Sequence, residues 1–116
     1  MRPLLNKINC AGALSADPAV AELVNVKVTK DLVKAASEAG VKRFIHISTV
    51  GVYDMKNISV VDESTPLILD HPSSYPRTKA RGEKIAFEQA QKNGIELTVI
   101  RPSMVYGPGK EVHDLV

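Results

Sequence analysis

Gly40-Val41-Lys42-Arg43-Phe44-Ile45-His46-Ile47-Ser48-Thr49 is the stretch that decides the fold. Its glycine stands where a helix would end in a left-handed turn, a conformation glycine takes without steric cost. The run Phe44 to Ile47 follows, inside a strand predicted over 42–48. A short, near-continuous apolar run after a helix signals a strand buried on both faces of a parallel sheet.

Towards the N-terminus, Asp17-Pro18 marks the start of that helix, with an aspartate cap followed by a proline where no amide donor is lost. Between Pro18 and Ala39, Val20, Leu23, Val24, Val28, Leu32 and Ala36 fall at three- and four-residue steps, so they are the face expected to pack. Leu4 to Ala11 reads as a short strand weakened by Asn6, Lys7 and Asn9, and Gly12 supplies a turn.

Towards the C-terminus, residues 50–72 hold Gly51, Pro66, Pro72 and many polar side chains, which predicts a long loop of the kind that often carries function. A second helix is predicted from Ser73 or Ser74 to about Lys92, with Pro76 tolerated in its first turn and Gly94 stopping it. Ile95 to Ile100 is a further buried strand, ended by Arg101-Pro102 and followed by the turn-rich Tyr106-Gly107-Pro108-Gly109. The order β-α-β-loop-α-β predicts an α/β domain with a parallel sheet.

Composition narrows the function. A chain of 116 residues supports one small domain. A net charge of +2 with scattered Lys and Arg, and 4% aromatic residues, argues against a nucleic-acid partner. No apolar run approaches the roughly 20 residues of a bilayer span, and the N-terminal residues lack a signal-peptide core. Neither membrane nor nucleic acid is expected as a partner. A single cysteine excludes an internal disulfide and a cysteine-based zinc site, in keeping with a cytoplasmic location.

Tyr75 and Lys79 lie one helical turn apart on one face of the second predicted helix. A phenol titrates near 10, too high for ready proton exchange at neutral pH, and an ammonium held close favours the phenolate. A tyrosine so tuned can pass a proton to or from a substrate oxygen while hydride moves to or from a cofactor. Alone the pair is weak evidence, since chance gives roughly 0.3 such pairs in this composition. Context strengthens it. Ser48-Thr49 stand at the carboxyl end of a parallel strand, where ligands bind in open α/β sheets.

At this point the sequence resembles extended short-chain dehydrogenases/reductases, the group of NAD-dependent epimerases and dehydratases that also includes 3β-hydroxysteroid dehydrogenases. The resemblance covers about residues 8–110. Asn9-Cys10-Ala11-Gly12 looks like the small-residue turn after the family's fourth strand. Asn25-Val26-Lys27-Val28-Thr29 looks like its Asn-Val-x-Gly-Thr helix, with Val28 in place of glycine. Ser48-Thr49 leads into Val52-Tyr53, Tyr75 to Lys79 is the Tyr-x-x-x-Lys signature, and Arg101 to Gly109 resembles the segment bordering the nicotinamide.

The resemblance implies a partial Rossmann-type parallel sheet, strands 4 to 6 of the family with two helices, lacking the first βαβ phosphate-binding half. Residues 1–116 would be a partial NAD(P)-binding domain, truncated at both ends, with no separate substrate domain. No Gly-x-x-Gly-x-x-Gly turn is present, and neither is the residue that selects NAD or NADP. Tyr75 would be the general acid/base, and Lys79 would tune it and hold the nicotinamide ribose. Thr49, with Ser48 as the alternative, would hydrogen-bond the reacting oxygen. Ala11, Gly12, Ser48, Pro102 and Ser103 would complete the cofactor side.

Further expectations follow. The cofactor is NAD or NADP, bound weakly or not at all by this chain alone, and the small-molecule substrate is a nucleotide sugar. A 3β-hydroxysteroid or flavonoid-type alcohol or ketone is the alternative substrate, and a non-catalytic binding or assembly module the alternative function. An open sheet edge implies a homo-oligomer or a complementing segment. His46 reads as a hydrogen-bonded, partly buried residue, and His71 and His113 have no partner at metal-ligand spacing, so no metal is expected. Asn25 organises backbone or is solvated. The stripe Arg77, Arg81, Lys84, Glu88 reads as a solvated face, and Gly82 as a point of close approach to the sheet or cofactor.

Overall fold

The computed structural model describes residues 6–14, 17–56 and 58–108. The expected strand start at Leu4, Gly109 and His113 lie outside them. Strand β1 (Asn6–Asn9) is followed by a long helical run: α1 (Pro18–Glu22), a π turn (Leu23–Lys27) and α2 (Val28–Glu38). Strand β2 (Arg43–Ile47), a 3-10 turn (Val50–Val52), α3 (Ser74–Asn93) and β3 (Glu96–Ile100) complete the order. The strands are parallel in the order β1-β2-β3, with Asn9 opposite His46 and His46 opposite Val99. This is the α/β arrangement that the motif order implied.

The helix ends follow their local chemistry. Asp17 Oδ1 accepts from the Ala19 amide at 2.9 Å, and Pro18 occupies the first helical position. Past α2, Gly40 has φ +78°, its amide donates to Ser37 O, and the Val41 amide donates to Ala36 O. That double closure of a helix end returns Val41 to the core. Gly94, at φ +68°, does the same for α3, with the Ile95 amide on Ala90 O.

Helices α2 and α3 pack together on one face of the sheet, around Val33, Ala36, Val41, Phe44, Ala86, Ala90 and Ile95. Full burial of Phe44 alone is worth about 1.5–3 kcal/mol. The opposite sheet face carries Ile8, Ile45, Ile47 and Ile100, and Ile8 and Ile100 are 57% and 47% exposed. The expectation that β2 and β3 are buried on both faces is therefore corrected. Only one face has helices against it among the described residues.

The packing face of the first helical run also differs from expectation. Ala21, Asn25, Thr29, Val33 and Ala36 are buried, whereas Val20 and Leu23 are 42% and 51% exposed. Four-residue steps drift by about 40° each on a regular α-helix, so Ala21 and Val33 would diverge. The wider π turn at Leu23–Lys27 absorbs part of that drift and keeps the row facing α3. Counting apolar residues misses such a face because two of its members, Asn25 and Thr29, are polar.

Gly82 explains why the face is made of small and polar residues. A Cβ there would lie 2.0 Å from the Asn25 carbonyl oxygen. The close approach expected of Gly82 is real, but its partner is the π turn of the neighbouring helix and neither the sheet nor a cofactor.

Residues 53–56 and 58–72 form a stapled excursion. Tyr53 bridges Leu67, the Asp54 amide donates to Pro66 O, and the Ile68 amide donates to Val52 O. Arg77 Nη1 donates to His71 O and Pro72 O, and Arg81 Nε to Leu69 O. These two arginines pin the loop to α3; Arg77 is half-buried and departs from the expected solvated stripe, whereas Arg81, Lys84 and Glu88 are exposed, with Lys84 and Glu88 paired at 3.9 Å.

Candidate active site

Parallel pairing brings the carboxyl ends of all three strands to one edge of the sheet. Residues 10–14, Ser48-Thr49 and 101–103 leave from there. Helix α3 begins beside the same edge, its body packed on the 3-10 turn that follows Thr49.

Lys79 is the most constrained member. It is 5% exposed, and its Nζ donates to Ile47 O at 2.8 Å. A Cβ on Gly12 would lie 3.8 Å from that nitrogen and 3.7 Å from Asn25 Oδ1. The ammonium therefore sits between the tip of β2 and the Gly12 turn. Burial pushes its pKa down, while the charges of Glu83 and Cys10 oppose that change. Ile47 occupies one of its three donors.

Tyr75 is half-buried, and burial pushes its phenol above the ordinary value. This is opposite in direction to the lowering that a facing ammonium would give. The Lys79 ammonium is turned to the Ile47 carbonyl, and burial is the cause of the Tyr75 shift.

The two hydroxyls at the tip of β2 are differently engaged. Ser48 is buried and donates to Glu83 Oε2 at 2.7 Å. Thr49 is half-buried, extended in backbone, and its Oγ1 accepts from the Gly51 amide at 3.2 Å. That bond uses a lone pair and leaves the hydroxyl proton free to point elsewhere. A methyl on Gly51 would touch both Thr49 and Pro76, which places the threonine tip against the first turn of α3.

Of the residues expected to border a cofactor, Ala11 and Gly12 are exposed, Pro102 is half-buried and Ser103 exposed. The Pro102 carbonyl accepts from the Val50 amide at 3.1 Å, joining the tips of β3 and β2. Asn25 is buried and organises backbone, as one of its two readings proposed. Its Oδ1 accepts from the Ala13 amide at 2.9 Å, and its Nδ2 donates to Ala13 O and to Thr78 Oγ1. It clamps the turn after β1 to the helix that carries Tyr75.

His46 is corrected in two respects, its degree of burial and its hydrogen bonding. It is fully buried, and neither ring nitrogen has a hydrogen-bond partner. Burial, with the Lys79 charge second, pushes its pKa down to about 4. Its neighbour Asn9 also has an unpartnered Nδ2, although Asn9 Oδ1 accepts from the Ala11 amide.

Sequence reasoning missed Glu83, Arg101, Tyr53 and Thr78. Glu83 is buried and accepts from Ser48 and from Arg101 Nε and Nη2, and Arg101 Nη1 donates to Tyr53 Oη at 3.0 Å. The available signal was spacing: Glu83 follows Lys79 by one turn on a face otherwise made of Ala80, Gly82, Ala86 and Ala90. Among the described residues, no group of three His, Cys, Asp or Glu is placed to hold a metal ion. No helix there is long and apolar enough to cross a membrane.

The sequence profile of the NAD dependent epimerase/dehydratase family matches residues 6–116. The chain belongs to the NAD-dependent epimerase/dehydratase family. Among epimerase/dehydratase relatives, a 3β-hydroxysteroid-dehydrogenase/decarboxylase of Arabidopsis thaliana is 37% identical over 94 residues, 77% of this chain and 21% of that protein. A UDP-glucose 4-epimerase of Vibrio cholerae is 35% identical over 86 residues, 74% of this chain and 26% of that protein. A dTDP-glucose 4,6-dehydratase of Streptomyces venezuelae, solved with NAD, superposes with a TM-score of 0.85 at 28% identity, over 99% of this chain and 37% of that one. A UDP-glucuronic acid 4-epimerase of Bacillus cereus, also solved with NAD, gives 0.76 at 29% identity, over 87% and 32%. The chain thus spans roughly a fifth to a quarter of the length of these curated relatives, and its sheet matches part of their Rossmann-type fold.

Proposed function

We propose that this chain supplies the nicotinamide side and the acid/base set of an NAD(P)-dependent epimerase, dehydratase or reductase acting on a nucleotide sugar. The observation that carries the reading is Lys79: an ammonium held inside the domain, 2.8 Å from Ile47 O and beside the Gly12 turn. A buried cation is expensive unless partnered, and its remaining donors suit the hydroxyls of a ribose. With the exposed backbone of Ala11 and Gly12 and the tip at Pro102 and Ser103, this donor set fits the nicotinamide half of a dinucleotide. When bound, NAD or NADP supplies a hydride acceptor or donor there.

The residues then divide the work. Thr49 holds the reacting oxygen of the substrate through its free hydroxyl proton. Tyr75 moves a proton at its phenolic oxygen. A phenol is protonated at neutral pH and burial pushes its pKa further up, so Tyr75 serves as a donor first and as a base only when positive charge gathers beside it. Lys79 and an oxidised nicotinamide are the sources of that charge.

Steroid chemistry is the second substrate reading, favoured by the 37% identical steroid dehydrogenase/decarboxylase. Loss of the enzyme, with the scaffold kept for binding or assembly, is the alternative function. The exposed Ile8 and Ile100 on the uncovered sheet face support association with a second copy or a complementing segment. A cytoplasmic site is the matching location for the lone, exposed Cys10.

The test is a turnover screen of an intact protein that carries this segment together with a phosphate-binding half, with NAD and NADP against UDP-glucose, dTDP-glucose and a 3β-hydroxysteroid, and with Tyr75→Phe alongside. The reading expects turnover that Tyr75→Phe abolishes while cofactor binding is largely kept. Undiminished turnover in that variant refutes it.

A further inference from the structure

We propose that Glu83 is a positioning residue of the candidate active site, fixing the strand tips that carry Thr49 and Pro102 against the helix that carries Tyr75 and Lys79. The inference rests on the assignment of Thr49, Tyr75 and Lys79 above. It adds a residue that touches neither substrate nor cofactor in that scheme.

Glu83 lies one turn beyond Lys79 and two beyond Tyr75 on α3, and is 4% exposed. Its Oε2 accepts from Ser48 Oγ at 2.7 Å, and its carboxylate accepts from Arg101 Nε at 2.9 and 3.1 Å and from Arg101 Nη2. Ser48 immediately precedes Thr49, and Arg101 immediately precedes Pro102. One carboxylate therefore grips both strand tips at the residue before the working one. The backbone closes the same ring, with the Ser48 amide on Ile100 O at 2.7 Å and the Val50 amide on Pro102 O at 3.1 Å. Arg101 extends it to the start of the loop through Tyr53 Oη, and its guanidinium lies 4.9 Å from that ring centre.

Stability alone is a poor reason for such a site. A buried ion pair replaced by apolar residues of similar size is often no less stable. A fully satisfied polar network does, however, select one arrangement of the elements it joins. Reacting groups tolerate little displacement: an error of 1 Å costs on the order of 100-fold in rate. Glu83 joins the three elements whose relative placement sets the Thr49–Tyr75 geometry.

The test compares wild type, Glu83→Gln, Ser48→Ala, Glu83→Leu/Arg101→Met and Tyr75→Phe in the active protein, with NAD and UDP-glucose or dTDP-glucose. Glu83→Gln should lower kcat roughly 10- to 100-fold while KM changes by less than about threefold. Ser48→Ala, which removes one donor and leaves the ion pair, should give a smaller loss of kcat in the same direction. The double variant should recover the wild-type thermal midpoint with kcat still low. Recovery of both midpoint and kcat would show a merely structural pair and overturn the proposal, as would wild-type kcat in Glu83→Gln. Tyr75→Phe separates the two levels: if it is inactive while Glu83→Gln is fully active, only the positioning role is lost. If Tyr75→Phe turns over normally, the site assignment fails with it.

Discussion

Gly82 lies so close to Asn25 that a methyl group on the glycine would stand 2.0 Å from the asparagine carbonyl oxygen. The atom in the way is backbone, held in a π turn, and cannot rotate aside. Gly82→Ala must therefore push α3 away from the first helical run or distort both. Overpacking of this kind costs about 1–3 kcal/mol or more. Urea unfolding should show that loss, and an unchanged midpoint would mean the helices sit further apart than described.

Asn25 makes three side-chain hydrogen bonds in a buried setting. Asn25→Ala leaves the Ala13 amide and carbonyl without their partner, at a cost of roughly 1–3 kcal/mol. The same substitution should speed hydrogen exchange at the Ala13 amide, which donates to Asn25 Oδ1. A protected Ala13 amide in the variant would contradict the clamp.

His46 makes stability depend on pH. Its folded pKa, about 4, lies below the unfolded value of 6.5, so the unfolded chain binds a proton that the native state refuses. Its contribution is complete above pH 6.5 and is lost as pH falls towards 4, by at most about 3 kcal/mol for such a shift. Unfolding free energies measured across that window should fall, and His46→Leu should flatten the slope. A variant with the wild-type slope would assign the effect to carboxylates instead.

The uncovered sheet face predicts association. Ile8 and Ile100 are both more than a third exposed, on the side away from the helices. Ile8→Lys with Ile100→Glu should reduce the apparent mass of the chain in light scattering and lower binding of an apolar dye. A monodisperse wild-type monomer with no dye binding would remove the basis for this expectation.

Cofactor affinity gives a further check. The chain shows no glycine-rich phosphate turn in its sequence, so calorimetry on the 116-residue chain should give NAD binding weaker than micromolar. Sub-micromolar affinity would show that the phosphates find another cradle.

The element order, both left-handed glycine stops and the aspartate cap were legible because each depends on a few adjacent residues. Gly40 and Gly94 end their helices through backbone geometry that no later packing alters. The Tyr75–Lys79 spacing was legible as a shared helix face, but not where each side chain turns. Lys79 reaches back to Ile47 O, a contact 32 residues away in sequence that helical periodicity cannot reveal. The Ala21-Asn25-Thr29-Val33 face failed for a related reason. Its polar members, Asn25 and Thr29, are buried with partners that lie elsewhere in the fold or in the turn of helix before them, and Gly82, far off in sequence, lets α3 pack close against them. Glu83 stayed hidden likewise, since its value lies in Ser48 and Arg101, residues from two separate strand ends.

The π turn has a genetic corollary. A gene that lost one codon anywhere from Leu23 to Lys27 would encode a tidier, fully regular helix and a worse protein. Every residue upstream would swing by about 100°, carrying Ala21 out of its seat while Val33 stayed in place. Single-residue deletions here should thus be purged more severely than many point substitutions, although the helix itself would gain by them.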